Sequence, residues 1–158
     1  MPTNTTSAIS PLHIRRSILI AATPERIWKE FESFERFAAW FGTGHRLIRY
    51  EPRVGGPVEL EIDGEYRGRS RWGGSIRVFE PGIELTFEDT WIPGLGWYEP
   101  MLLTFRLTPH LDGTLVELLV HNIEAIGPEA ADAHAGGEGG WTVRHLAVLR
   151  EIVETSKE

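Results

Sequence analysis

The sequence predicts an α+β fold: a curved antiparallel sheet of about seven strands around a long C-terminal helix, with two short helices after the first strand. Three observations predict it. Apolar and polar residues alternate over most of the chain, as half-buried strands require. Glycine-containing turn signals separate those runs. From Trp141 onward the apolar spacing changes to three and four residues, which is helical.

The elements follow in order. Residues 1–10 are small and polar and are expected to form a disordered tail, leaving 11–158 as one domain. Leu12, Ile14, Ile18 and Ile20 share a parity that Arg16 interrupts, which makes a first strand. Thr23 can cap a helix, Pro24 suits its first turn, and Ile27, Trp28 and Phe31 form its apolar stripe. Ser33 is a second cap, and Phe34, Phe37, Ala38 and Phe41 continue to Gly42. Arg46–Tyr50 is a short strand. Gly55-Gly56-Pro57 turns the chain into an alternating run at Val58, Leu60 and Ile62. Asp63-Gly64 signals a hairpin into a long strand over Glu65–Phe79, bent at Gly73-Gly74. Leu85, Phe87, Asp89 and Trp91 share the next inward parity. Leu103, Phe105 and Leu107 follow, and then Val116, Leu118 and Val120 after Asp112-Gly113. The segment Gly127–Gly140 reads as a loop with at most a helical turn. Trp141, His145, Leu146, Leu149, Ile152 and Val153 form the stripe of the last helix.

Length and composition narrow the function. A chain of 158 residues is long enough for one core. Its net charge of −7 argues against nucleic acid as the main partner, because a phosphate backbone needs a basic face. No apolar run approaches the ~20 residues of a membrane helix, so no membrane insertion is expected. The first eleven residues lack a charged and an apolar segment in series, so a cytoplasmic location is expected. There is no cysteine, and the histidines His45, His121, His134 and His145 read as scattered, so no metal is expected. The glycine runs lack the strand–turn–helix context of a nucleotide loop, and no cofactor is expected.

The strand followed by Ala22-Thr23-Pro24-Glu25-Arg26-Ile27-Trp28 resembles the entry motif of the START-like (helix-grip, SRPBCC) superfamily. Trp40-Phe41-Gly42, Pro52 to Gly55-Gly56, Gly113-Thr114 and Gly140-Trp141 with Leu146 resemble, in that order, homologues of the activator of heat-shock-protein-90 ATPase. The likeness covers about residues 12 to 155 and is to the bacterial single-domain type, which lacks the eukaryotic activator's extra N-terminal domain. It implies a sheet gripping the last helix around a hydrophobic cavity. It also implies three functions: binding of a small hydrophobic or lipid-like molecule without covalent chemistry, polyketide cyclase/dehydrase-like catalysis, or a chaperone-associated role in stress. A homodimer is compatible with each.

Several side chains are candidates for the site. Trp91, Trp97 and Tyr98 flank the Pro93–Gly96 loop and could form a cavity mouth, while Trp40, Tyr66, Phe87 and Phe105 could line its wall. Asp89 shares the inward parity of Phe87 and Trp91, where an unpaired carboxylate is costly. It either orients a polar ligand group, serves as an acid or base, or is a strand-end acid that reaches water or an arginine. Trp141 and His145 lie on the stripe of the last helix, and His145 is the best candidate base. Both also fit plain core packing. Arg67, Arg69 and Arg71 share a face and are expected to pair with Glu59, Glu61, Glu84 or Glu88 rather than to mark a site.

Overall fold

The computed structural model describes residues 12–156, so the expected tail over residues 1–10 lies outside the described residues. Seven strands form one antiparallel sheet: β1 (Ile14–Ile20), β2 (Arg46–Tyr50), β3 (Pro57–Tyr66), β4 (Arg69–Glu80), β5 (Glu84–Ile92), β6 (Met101–His110) and β7 (Gly113–His121). Their order is β1-β7-β6-β5-β4-β3-β2. β1 and β2 therefore stand at opposite edges, and the segment joining them must cross the sheet. That segment is α1 (Pro24–Trp28), a 3₁₀ turn over Lys29–Phe31, and α2 (Phe34–Phe41). Both expected caps are present. Thr23 Oγ1 accepts the Arg26 N–H, and Ser33 Oγ accepts the Arg36 N–H, each at 3.1 Å. The C-terminal helix, α4 (Arg144–Thr155), packs against α2 and β1 in the grip of the sheet. This is an α+β helix-grip fold.

The packed half of the interior lies beneath α1 and α2. Phe31, Phe37, Trp40 and Phe105 meet at centroid distances of 5.1 to 6.3 Å, most of them edge to face. Trp40 Nε1 donates to the Glu30 carbonyl at 3.0 Å, and the Tyr50 hydroxyl donates to the Phe31 carbonyl at 2.5 Å. Glu30 itself is buried, and both Arg26 and Arg36 reach its carboxylate at 2.8 Å. A buried carboxylate needs such partners to offset its lost hydration. From α4, Leu146, Leu149 and Val153 complete this core. Burying each contributes roughly 1.5–3 kcal/mol.

Three sequence expectations change. The stretch expected as a loop contains α3 (Ala130–Gly140), eleven residues long. Four glycines there oppose a helix by about 1 kcal/mol each. The opposition is overcome by anchoring: Arg16, the interruption in β1, donates to the Glu138 carbonyl and carboxylate at its C-terminal end. Second, Trp141 is not on the α4 stripe. It follows α3 and precedes α4, with its N–H bonded to the Gly137 carbonyl. Third, the β3–β4 hairpin turns at Arg67-Gly68, not at Asp63-Gly64, with Tyr66 opposite Arg69. Both turn residues have positive φ, 50° and 81°, the geometry that matches the twist of paired strands.

The expected surface pairing of β4 holds for Arg71, which meets Glu59 at 2.8 Å and Glu61 at 3.5 Å. Arg69 donates instead to the Pro93 and Gly94 carbonyls, and Arg67 reaches Glu129 at the start of α3. Among the described residues, no helix is long and apolar enough to cross a membrane.

Candidate functional site

The other half of the interior is open. A cavity of about 450 Å³ lies between the sheet, α3 and the first turn of α4. Strand pairing sets its floor. Trp72 of β4 pairs with Trp91 of β5, and Trp91 stacks on Tyr66 of β3 at 5.1 Å. Trp141 stands edge-on to Trp72 at 5.9 Å, and Trp97 enters from the β5–β6 loop. The opposite wall is Gly136, Gly137 and Gly140 of α3, and at Gly136 and Gly140 an added Cβ would meet nothing within 4 Å. Arg16 holds that wall in place, since its Nε also donates to the Trp141 carbonyl at 3.0 Å.

Polar groups are few. Asp89 is 7 % exposed and lines the cavity from β5. Burial alone pushes its carboxyl up to about 7. His45 and His145 stack at 5.0 Å with their planes 11° apart. His45 Nε2 lies 2.8 Å from the Phe41 carbonyl, and His145 Nδ1 lies 3.4 Å from the Trp40 carbonyl. A carbonyl only accepts, so these nitrogens carry the protons. Each ring keeps its other nitrogen as an acceptor. Burial, and then the neighbouring His145, hold His45 down to about 4. Burial also holds His145 below the ordinary imidazole range. The pair is therefore neutral at pH 7. Arg144 lies beside them, its guanidinium against Gly44.

The structure thus brings Tyr66, Asp89, Trp91, Trp97, Trp141 and His145 around one cavity. Four other residues expected at a ligand lie elsewhere. Trp40, Phe87 and Phe105 are fully buried in the packed core, because α2 fills the concave face above them. Tyr98 is 75 % exposed and lies on the outer side of its loop against Gly127. Leu146 and Leu149 face the core rather than the cavity, so α4 contributes only Arg144 and His145.

The reading of the histidines as scattered is corrected in part, since His45 and His145 are in contact. His121 stays apart on the outer face, 2.8 Å from Thr104 Oγ1, and His134 sits on α3 near the His13 carbonyl. Among the described residues, no three His, Cys, Asp or Glu converge as metal ligands. Sequence reasoning missed His45 of the α2–β2 loop, Arg144 of α4 and Met101 of β6.

Comparison with known proteins places this architecture. A family model described as Activator of Hsp90 ATPase homolog 1-like protein matches residues 21–154. No curated protein matches the chain. Among solved structures, protein CV1439 of Chromobacterium violaceum is 24 % identical with a TM-score of 0.65, covering 93 % of this chain and 100 % of that one. The Aha1 dimer of Colwellia psychrerythraea, a solution structure, is 18 % identical with a TM-score of 0.63, covering 92 % and 98 %. DynU16, from the dynemicin biosynthetic locus, is 18 % identical with a TM-score of 0.63, covering 92 % of this chain and 48 % of that one. These likenesses share the fold. The family match spans nearly the whole gripped domain, and the chain belongs to the family of Activator of Hsp90 ATPase homolog 1-like proteins.

Proposed function

We propose that the protein binds a small, largely apolar molecule in the cavity between the sheet, α3 and α4, without covalent chemistry. One observation carries this reading: about 450 Å³ of space walled by Tyr66, Trp72, Trp91, Trp97 and Trp141. A close-packed interior does not keep such a volume beside large aromatic surfaces without use, and concave apolar space with a few polar groups is the usual form of a ligand site. The test is native mass spectrometry of protein purified from its own host. A retained organic mass, lost when Gly136→Trp fills the cavity mouth, is the expected result. An empty protein that also fails to take up an apolar fluorescent probe contradicts it.

A second reading has one observation in its favour. Asp89 and His145 face the same cavity, and burial moves both away from their ordinary pKa. This would suit acid–base chemistry of the cyclase/dehydrase kind, and the likeness to a protein of a biosynthetic locus points the same way. Among the described residues, no hydrogen bond joins Asp89, His145 and Tyr66, so binding is the reading adopted. Self-association is proposed from the likeness to the Colwellia dimer. Sedimentation of the purified protein tests it, and a monomer at tens of micromolar contradicts it.

A further inference from the structure

One carboxyl in the cavity has no partner. Among the described residues, no group hydrogen-bonds or ion-pairs with the side chain of Asp89, although it is 7 % exposed. The strand register explains the isolation. Between the Gly73–Thr90 and Ile76–Phe87 pairs no β4 residue is paired with Asp89, and a side chain at Gly74 would meet Glu88 instead. On the other flank Asp89 pairs with Met101, whose thioether cannot donate a hydrogen bond. The cavity that Asp89 lines is walled largely by rings. Trp91 follows it on the same face, Trp72 stands diagonally across β4, Tyr66 stacks on Trp91, and Trp141 closes over Trp72.

A desolvated carboxyl costs free energy unless something brings it a proton or a positive charge. Indole faces attract cations as well as apolar surface. Together they are the two elements that recognise an organic cation. We propose that the cavity takes an organic amine in its ammonium form, with the N–H groups on the Asp89 carboxylate and the apolar body between Trp72, Trp91 and Trp141. This rests on the cavity being the ligand site and names the class of ligand.

The remaining charged and titratable groups lining the cavity are His45, His145 and Arg144 near the α4 wall, Glu129 and Asp132 near α3, and Tyr66 on the sheet. Burial holds His45 down to about 4 and lowers His145 as well, which disfavours a competing cation at either ring. Arg144 offers an anion a partner, but it is exposed, and water screens its charge. Asp89 is buried, where the same charge acts more strongly.

The test compares naphthylmethylamine, naphthylmethanol and naphthoate by calorimetric titration of the whole protein. These share one apolar body and differ in charge. The amine is expected to bind at least about tenfold tighter than the alcohol at pH 8. With Asp89 titrating near 7, its ionised fraction rises about tenfold from pH 6 to pH 8, and the preference should rise with it. Below pH 7 the amine displaces the Asp89 proton. Titrations in buffers of different ionisation heat should register that release in the unaltered protein. D89N should abolish the preference while the alcohol still binds.

Equal affinity for amine and alcohol, or a preference that survives in D89N, overturns the inference alone and leaves the ligand site standing. Tightest binding of naphthoate assigns the polar contact to Arg144 and overturns it too. Failure of all three to bind overturns the ligand-site reading together with the inference.

Discussion

The two halves of the interior contain the same kind of residue and differ in what faces it. Under α1 and α2, Trp28, Phe31, Phe37, Trp40 and Phe41 meet one another and Phe105, and the space is filled. Under α3, Trp72, Trp91, Trp97 and Trp141 face glycines, and the space stays open. Some of the polar atoms follow the same division. Trp40 and Tyr50 give their donors to backbone carbonyls, and Glu30 has two arginines. In the open half, Trp97 Nε1 and the Asp89 carboxyl have no partner among the described residues. Trp28 Nε1 and the Nε and Nη2 of Arg26 are exceptions in the packed half, being buried without one. An aromatic side chain is thus core or cavity wall according to the element opposite it. Large side chains on α2 make one case, and missing ones on α3 make the other.

The largest expected effect breaks this comparison if it fails. Phe105→Ala in the packed half should cost about 3–5 kcal/mol in denaturant melts, whereas Trp91→Ala at the open half should cost roughly 1–2 kcal/mol. Equal losses would mean that the two halves are packed alike.

The pH dependence sharpens it. The folded state raises the Asp89 pKa above its unfolded value. Between about pH 4 and 7 the unfolded chain has lost that proton while the folded chain keeps it, so this group lowers stability as pH rises, by on the order of 4 kcal/mol. His45 is depressed instead. Below pH 6.5 the unfolded chain gains a proton that the folded chain refuses, so this group lowers stability as pH falls toward about 4. Its partial exposure reduces the size to roughly 1–2 kcal/mol. The two slopes oppose each other in the unaltered protein. D89N should therefore lose stability on acidification over this window relative to the parent, and His45→Gln should gain it. Chemical melts at pH 4.5, 6 and 7.5 check both signs, and parallel curves for parent and variants would remove the assigned causes.

The smallest effect concerns the weak wall. An added Cβ at Gly139 meets nothing within 4 Å, so Gly139→Ala should stabilise α3 by about 0.5–1 kcal/mol through helix propensity. Slower amide exchange in α3 alone is the expected signature, and unchanged exchange there would mean that its glycines do not set its stability.

What the sequence showed and what it hid follow the same physics. The alternation in β7, the caps Thr23 and Ser33, and the inward parity of Asp89 are local facts, and each reappears in the structure. The cavity's make-up is not local. α3 is hidden because its glycines argue against a helix while its anchor, Arg16, sits 122 residues away from Glu138 and looks like a flaw in a strand. His45 and His145 are far apart in sequence and meet only because α2 and α4 pack together. Phe87 and Phe105 have inward parity, as a wall residue would. Parity shows that a side chain enters the interior, but not whether α2 or α3 meets it there.

The most direct test follows the six indoles. Each Trp side chain gives one indole N–H resonance, and after assignment by single Trp→Phe variants, naphthylmethanol can be titrated into isotope-labelled protein. The account predicts that the indole signals of Trp72, Trp91, Trp97 and Trp141 move with the ligand while those of Trp28 and Trp40 stay in place. Movement of Trp28 and Trp40 with the other four unmoved, or a spectrum in which none of the six responds, would contradict it.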